Sequence, residues 1–490
     1  MSQTGLPSPS QQPTPITEPE AQPSPPATAP PSLENANTEN NISLHNVIAA
    51  IMTAVSPSQL NQNLKTFAPK EVRDIIFASF LPDGQDPLSV LDIQANTLGI
   101  LYILSARLHV PTAPRPPLDY IEEFCRMFVA EQARYAPDRV TMLATGIVQA
   151  AEQGGNPRLA IQPLFDLLVR YPPTPSHLTA IHPMFLKICV STRFFTAALP
   201  ILAHPITTID LSISDLSYND NLVYHYTGGV VYAALKRWAE AEEFFEICAC
   251  SPGAAPAAIQ MDALIKLVLV QLIHEGKTSP PPKYIHPTLL RLFRGTSYNA
   301  FANAYPKQRS QLRNIVETEQ QLFATEKNLG LISQALEHAP RWSIRKLTGT
   351  YLTLHISDIG QAVGIESEDE VRALILDMVS STSTSIKVYF IKPMMSSEIC
   401  ARISADGTVV FSDPPVKFDK ADVDRVLAHA QEQCSLLASL EREMARSKEY
   451  LAKAVKSKED STGWPGGAMD EDVVPDHTRS NYNWAEDIGF

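Results

Sequence analysis

The sequence predicts a mostly α-helical chain with three folded parts: a helical-repeat arm over residues 41–339, a winged-helix module over 340–418 and one long helix over 419–455. Disordered tails at 1–40 and 456–490 flank them. Three observations carry this reading. Aromatic and small residues interleave between Tyr224 and Glu246, short helical segments precede an alternating stretch around Asp406-Gly407, and an apolar stripe of period 3.5 runs from Val423 to Leu437.

Ten of the chain's 40 prolines fall in the first 31 residues, among Ser, Thr, Gln and Glu, a composition with too little apolar surface to order itself. From Ile42 the pattern turns helical, with Val47, Ile48, Ile51, Met52 and Val55 on one stripe that stops at Pro57. Helices follow over Lys70–Phe80 and Val90–Leu108, with a Pro-Asp-Gly turn at 82–84 between them. More are expected at Leu118–Glu131, Val140–Glu152, Ile161–Tyr171 and His177–Ser191, joined by short proline-bearing turns.

The stretch Tyr224–Glu246 reads as one hairpin of a tetratricopeptide-like array. Tyr224, Tyr232, Trp238 and Phe245 alternate with Gly228, Gly229, Ala234 and Ala241, the interleaving that two antiparallel helices need for close approach. Glycines that would weaken an isolated helix serve here as packing notches. An ordinary helix pair in an unrelated helical domain is the alternative. A second copy favours the array: Phe195, Ala198 and Ile201 match Trp238, Ala241 and Phe244 at an offset of 43 residues. Ala257–His274, Thr288–Tyr305, Ser310–Ala324 and Leu329–His338 continue the arm to Pro340.

Beyond Pro340 the texture changes. Ser357–Gly364 reads as a capped short helix ending in glycine, Glu368–Met378 as a second helix, and Ala401–Phe411 as a hairpin turning at Asp406-Gly407. Such modules often read DNA. This one holds eight Lys or Arg against nine Asp or Glu between Pro340 and Lys417, and its second helix opens on Glu368, Asp369 and Glu370. Those acids suit the helix dipole but repel phosphates, so a protein-docking wing is expected. The long helix after it places Val423, Leu427, Ala430, Cys434 and Leu437 four and three apart, a seam for another helix, with Leu440, Met444 and Leu451 extending the stripe. Its alternative is to fold back on its own domain.

The net charge of −13 resides mostly in the tails, leaving about −4 for the remainder, so the folded part lacks the basic excess that nucleic acid selects. Cys125, Cys189, Cys248, Cys250, Cys400 and Cys434 follow no framework spacing and are expected to be reduced thiols. The Cys248/Cys250 pair has no second pair or histidine partner nearby. Neither a secretory signal nor an apolar run of about 20 residues is present, and a soluble intracellular protein is expected.

A helical-repeat arm that runs into a winged helix and ends in one further helix resembles the PCI family. These are the scaffold subunits of the proteasome lid, the COP-nine signalosome and the translation initiation factor three complex. The local text is similar to the signalosome members in the hairpin Tyr224–Phe245, in Pro282-Lys283-Tyr284, in Gln311–Val316, in Asn328–Ile332 and in Ile344–Leu354. His177–Leu199 resembles their upstream repeat, and the likeness covers roughly Ile161–Phe418. Residues 380–398 depart from it as an insert, which leaves the wing's first strand starting at either Ile386 or Cys400.

The resemblance implies a non-catalytic scaffold with no cofactor and no metal, in a complex that removes the modifier Nedd8 from cullins. The helical part of the PCI domain would cover about 200–339. Implied partners are other signalosome subunits of PCI and MPN type, and indirectly cullin–RING ubiquitin ligases, in nucleus and cytoplasm. Assembly would use Ile403, Val409 and Phe411 on the wing and Leu427, Leu437 and Leu440 on the last helix, while Tyr224, Gly228, Gly229, Tyr232, Trp238 and Ala241 pack the repeats. The rivals are a proteasome lid subunit and a PCI-type adaptor for messenger RNA export. An enzyme reading finds no support: twelve histidines include no His-x-His, and there is no H-E-x-x-H, G-x-S-x-G, P-loop or G-x-G-x-x-G.

Overall fold

The computed structural model describes residues 44–452 other than 254, 308, 381–398, 413–419 and 449. Both tails, nearly all of the expected insert and the alternative start at Ile386 lie outside the described residues. The chain divides into two compact units, one up to Thr350 with Ser357–Glu368, the other comprising Tyr351–Ile356 and the chain from Asp369 onward.

The first unit is a succession of antiparallel helices over one continuous apolar core that extends from Leu44 to Ala339. Its hairpins turn by a shared device. Gly155, Arg193, Lys236 and Lys327 all take positive φ, between 56° and 74°, two residues before the next helix begins. In each, the following N–H reaches back five residues: Asn156 to Ala151, Phe194 to Cys189, Arg237 to Tyr232 and Asn328 to Phe323, at 2.8–3.1 Å. This is the Schellman closure, which satisfies carbonyls that a helix end would otherwise orphan. Arg193 and Lys236 sit at the same 43-residue offset as the aromatic and small positions, so the periodicity is also a periodicity of turns.

Helix packing follows from side-chain size. Helix Tyr218–Ala234 lies against Trp238–Cys250 so closely that a Cβ on Gly228 would come within 2.6 Å of the Phe244 ring, and one on Gly229 within 2.7 Å of Phe245. Ser217 caps the first of these helices in a capping box with Asp220. Further toward the N-terminus two buried arginines tie elements together. Arg139 meets Asp74 at 2.7 Å over the Tyr102 ring, and Arg107 meets Asp86 at 2.7 Å, while Asp86 also caps the turn at Leu88.

Several helices differ from expectation. The segment 288–305 is two helices, Pro287–Arg294 and Ser297–Ala304, because Thr296 accepts from the N–H of Asn299 and starts the second. The segment 310–324 likewise divides into Arg309–Thr318 and Gln320–Thr325. His177–Leu178 leaves the helical run to pair in parallel with Thr208–Ile209. The helix expected to stop at Pro340 continues from Leu329 to Thr348: Pro340 removes one amide from the ladder, and its own packing in the core holds the helix through it.

In the second unit Thr353–His355 is a strand. It forms the edge of a three-stranded antiparallel sheet with Thr408–Ser412 in the centre and Cys400–Ile403 opposite. Of the two expected starts for the wing, the described strand begins at Cys400. Its turn closes with Gly407 at φ 82°, whose N–H bonds Ser404 at 3.1 Å, while the Asp406 carboxylate accepts from Thr408. This is a type I turn with a left-handed glycine bulge rather than the two-residue hairpin that Asp-Gly most often makes.

Candidate assembly surface

Among the described residues, the long helix Lys420–Arg446 is the most exposed element. Every side chain described along it is exposed except that of His429, which is partly shielded. On its seam Leu427 is 55%, Leu437 62% and Leu440 44% exposed, with Val423, Val426 and Met444 also open. The spacing 423, 427, 430, 434, 437 holds one face, and the step of three to Leu440 and four to Met444 carries the stripe on as the register shifts. Over 21 residues this makes a ridge about 30 Å long. Helix stability normally comes from packing an apolar face, and contiguous exposed apolar surface of this length marks an interaction site. Charges of both signs flank it, among them Glu432 near His429, Glu441 and Arg442.

The wing is arranged differently from expectation. Ile403 pairs with Val409 and Ala401 with Phe411, so these four share one sheet face, and Val409 and Phe411 are buried in their own module, with Ile403 half-buried. Adjacent strand residues point to opposite faces, and the outward row is Thr353, Val410 and Arg402. Val409 and Phe411, expected on the assembly face, are thus buried within the chain. Val410 is the exposed apolar residue of the central strand.

The hairpin residues form a dry aromatic seam between repeats. Tyr224 is buried edge-on to His182 and His225, its ring 5.9 Å from Phe244, and its hydroxyl has no hydrogen-bond partner among the described residues. Tyr232 donates to the carbonyl of Leu202 in the preceding repeat at 3.0 Å, and its ring stacks edge-on to Phe244 at 5.2 Å. Ala241 is fully buried and Trp238 half-buried against the core.

Burial shifts several titratable groups of the arm. His182 accepts from the N–H of Thr179 at 3.0 Å, and burial pushes its pKa down to about 4. His225 moves in the same direction for the same reason. Burial raises the thiols of Cys248 to about 12 and Cys250 to about 11, so both remain protonated at neutral pH and neither is an activated nucleophile. Among the described residues no group of three or more His, Cys, Asp or Glu is arranged to hold a metal ion, and no helix is long and apolar enough to cross a membrane.

Comparison with known proteins points one way. Residues 59–289 match a family described as COP9 signalosome complex subunit 3, N-terminal helical repeats. The chain is similar to COP9 signalosome complex subunit 3 of Drosophila melanogaster, 28% identical over 420 residues that cover 80% of this chain and 88% of the relative. A second similar protein, COP9 signalosome complex subunit 3 of Dictyostelium discoideum, is 26% identical over 383 residues, 76% of this chain and 88% of that protein.

Proposed function

Since this chain is a relative of COP9 signalosome complex subunit 3, we propose that it is a non-catalytic scaffold subunit of that complex, which removes Nedd8 from cullins and so regulates cullin–RING ubiquitin ligases. The observation that carries the reading is the similarity over most of both chains, which includes the region beyond the repeats. The exposed ridge on helix Lys420–Arg446 supports it physically: a helix whose apolar stripe is open among the described residues is suited to complete its packing in a shared helical bundle. Residues from about 340 to 418 act as the winged-helix part of a PCI domain and contact neighbouring PCI subunits through the outward row of the sheet. The catalytic step belongs to a metalloprotease partner of MPN type, and the complex works in nucleus and cytoplasm.

Affinity purification of the tagged full chain from its own cells, with partner identification by mass spectrometry and a cullin deneddylation assay on the eluate, tests this. The expected result is a multi-subunit complex with deneddylase activity. Recovery of proteasome particles, or of RNA-binding proteins without that activity, would replace this reading by the corresponding rival.

A further inference from the structure

We propose that the loop between helices Ala258–Glu275 and Pro287–Arg294 is a docking site for a WW-type domain, the small β-sheet module that grips a Pro-Pro-x-Tyr segment in an aromatic-lined groove. The motif is Pro281-Pro282-Lys283-Tyr284. Five other Pro-Pro pairs lie outside this loop, at 25–26, 30–31, 116–117, 172–173 and 414–415, and none has tyrosine two positions after the second proline.

The loop displays the motif and holds it still. At its start Gly276 ends the preceding helix in the left-handed conformation, and the Ser279 N–H donates to the Gln271 side chain at 3.2 Å. At its close Ile285 is buried, and its N–H bonds the Pro282 carbonyl at 3.2 Å. Between these anchors Pro280, Pro281, Lys283 and Tyr284 are exposed. Three consecutive prolines fix φ near −65° and carry no N–H, so the segment has little backbone freedom to lose on binding and offers ring faces and carbonyls to a groove.

Tyr284 has no packing role that would account for it. It is 70% exposed, and the polar tie it makes is a long hydrogen bond to Glu246 at 3.3 Å. A large aromatic side chain held in water next to exposed prolines is what a paired Pro-Pro groove and tyrosine pocket recognise. The inference is independent of membership in any larger complex, since it rests on one loop of the folded arm.

The test titrates the purified full chain with an isolated WW domain of known Pro-Pro-x-Tyr selectivity and follows binding by calorimetry. Saturable one-to-one binding is expected, weakened about ten-fold or more by Tyr284→Ala and by Pro281→Ala, with melting temperatures unchanged because both side chains are exposed. A chain lacking residues 1–40 should bind as the full chain does. No saturation at about 200 μM domain would overturn the proposal. So would binding that survives Tyr284→Ala or disappears with residues 1–40, since either places the contact in another proline-rich segment.

Discussion

The hairpin at 218–250 and the helix Lys420–Arg446 carry apolar stripes of similar helical spacing, yet the first hides its stripe and the second exposes it. The difference lies in the glycines. Gly228, Gly229 and Ala241 let a neighbouring helix of the same chain approach within side-chain contact, whereas the terminal seam, from Val423 to Leu437, contains no glycine and its side chains are exposed among the described residues. Helical periodicity therefore shows that a face is apolar, and glycine set opposite an aromatic ring marks where another helix of the same chain packs on it.

The contrast can be tested first by acid, with the largest effect expected in the arm. His182 has a folded pKa of about 4 against about 6.5 when unfolded, so its contribution to stability is complete above pH 6.5 and is lost as pH falls toward 4. The loss is about 3 kcal/mol at the acid end, with His225 adding in the same sense and the raised carboxyls of Glu242 and Glu243 opposing it at the lower end. Thermal melts from pH 7 to 4.5 should show this slope, flattened in His182→Gln. The terminal helix should show no such dependence in local hydrogen exchange.

Gly228→Val comes next. Its added carbons have no space before the Phe244 ring, so overpacking should cost about 2 kcal/mol in chemical denaturation, although valine for glycine alone would favour the helix slightly. Lys236→Gly should act in the opposite direction, stabilising by about 0.5–1 kcal/mol because glycine takes the left-handed turn without a Cβ penalty. A lower melting temperature in Lys236→Gly would contradict the account of the turns. The smallest effect on stability belongs to Leu437→Asp, within about 0.5 kcal/mol, since that side chain is 62% exposed among the described residues.

Much of this architecture is legible in the sequence, for identifiable reasons. Glycine opposite an aromatic residue, Asp-Gly between alternating residues and leucines three and four apart are local signals, and local geometry suffices to interpret them. Three features required tertiary information. Arg193, Lys236 and Lys327 occupy left-handed turns that glycine or asparagine would have signalled, and their side chains give no such cue. Pro340 stays inside a helix because the packing of that helix outweighs one lost hydrogen bond. Val409, Val410 and Phe411 are all apolar, so sequence alone does not say which face of the wing points inward, and the pairing with Ile403 and Ala401 decides it. On the terminal helix the expected residues are the exposed ones; on the wing the exposed residue is Val410.

On the proposed function, the terminal ridge is completed by partner subunits, whereas the arm packs on itself. The most direct measurement compares tagged wild type with Leu437→Asp in the chain's own cells, scoring subunits recovered and cullin deneddylation in the eluate, with circular dichroism of the purified variant as the folding control. The expected result is loss of co-purifying subunits and of activity from a chain whose melting curve is unchanged. Normal recovery of an active complex by the variant would contradict it.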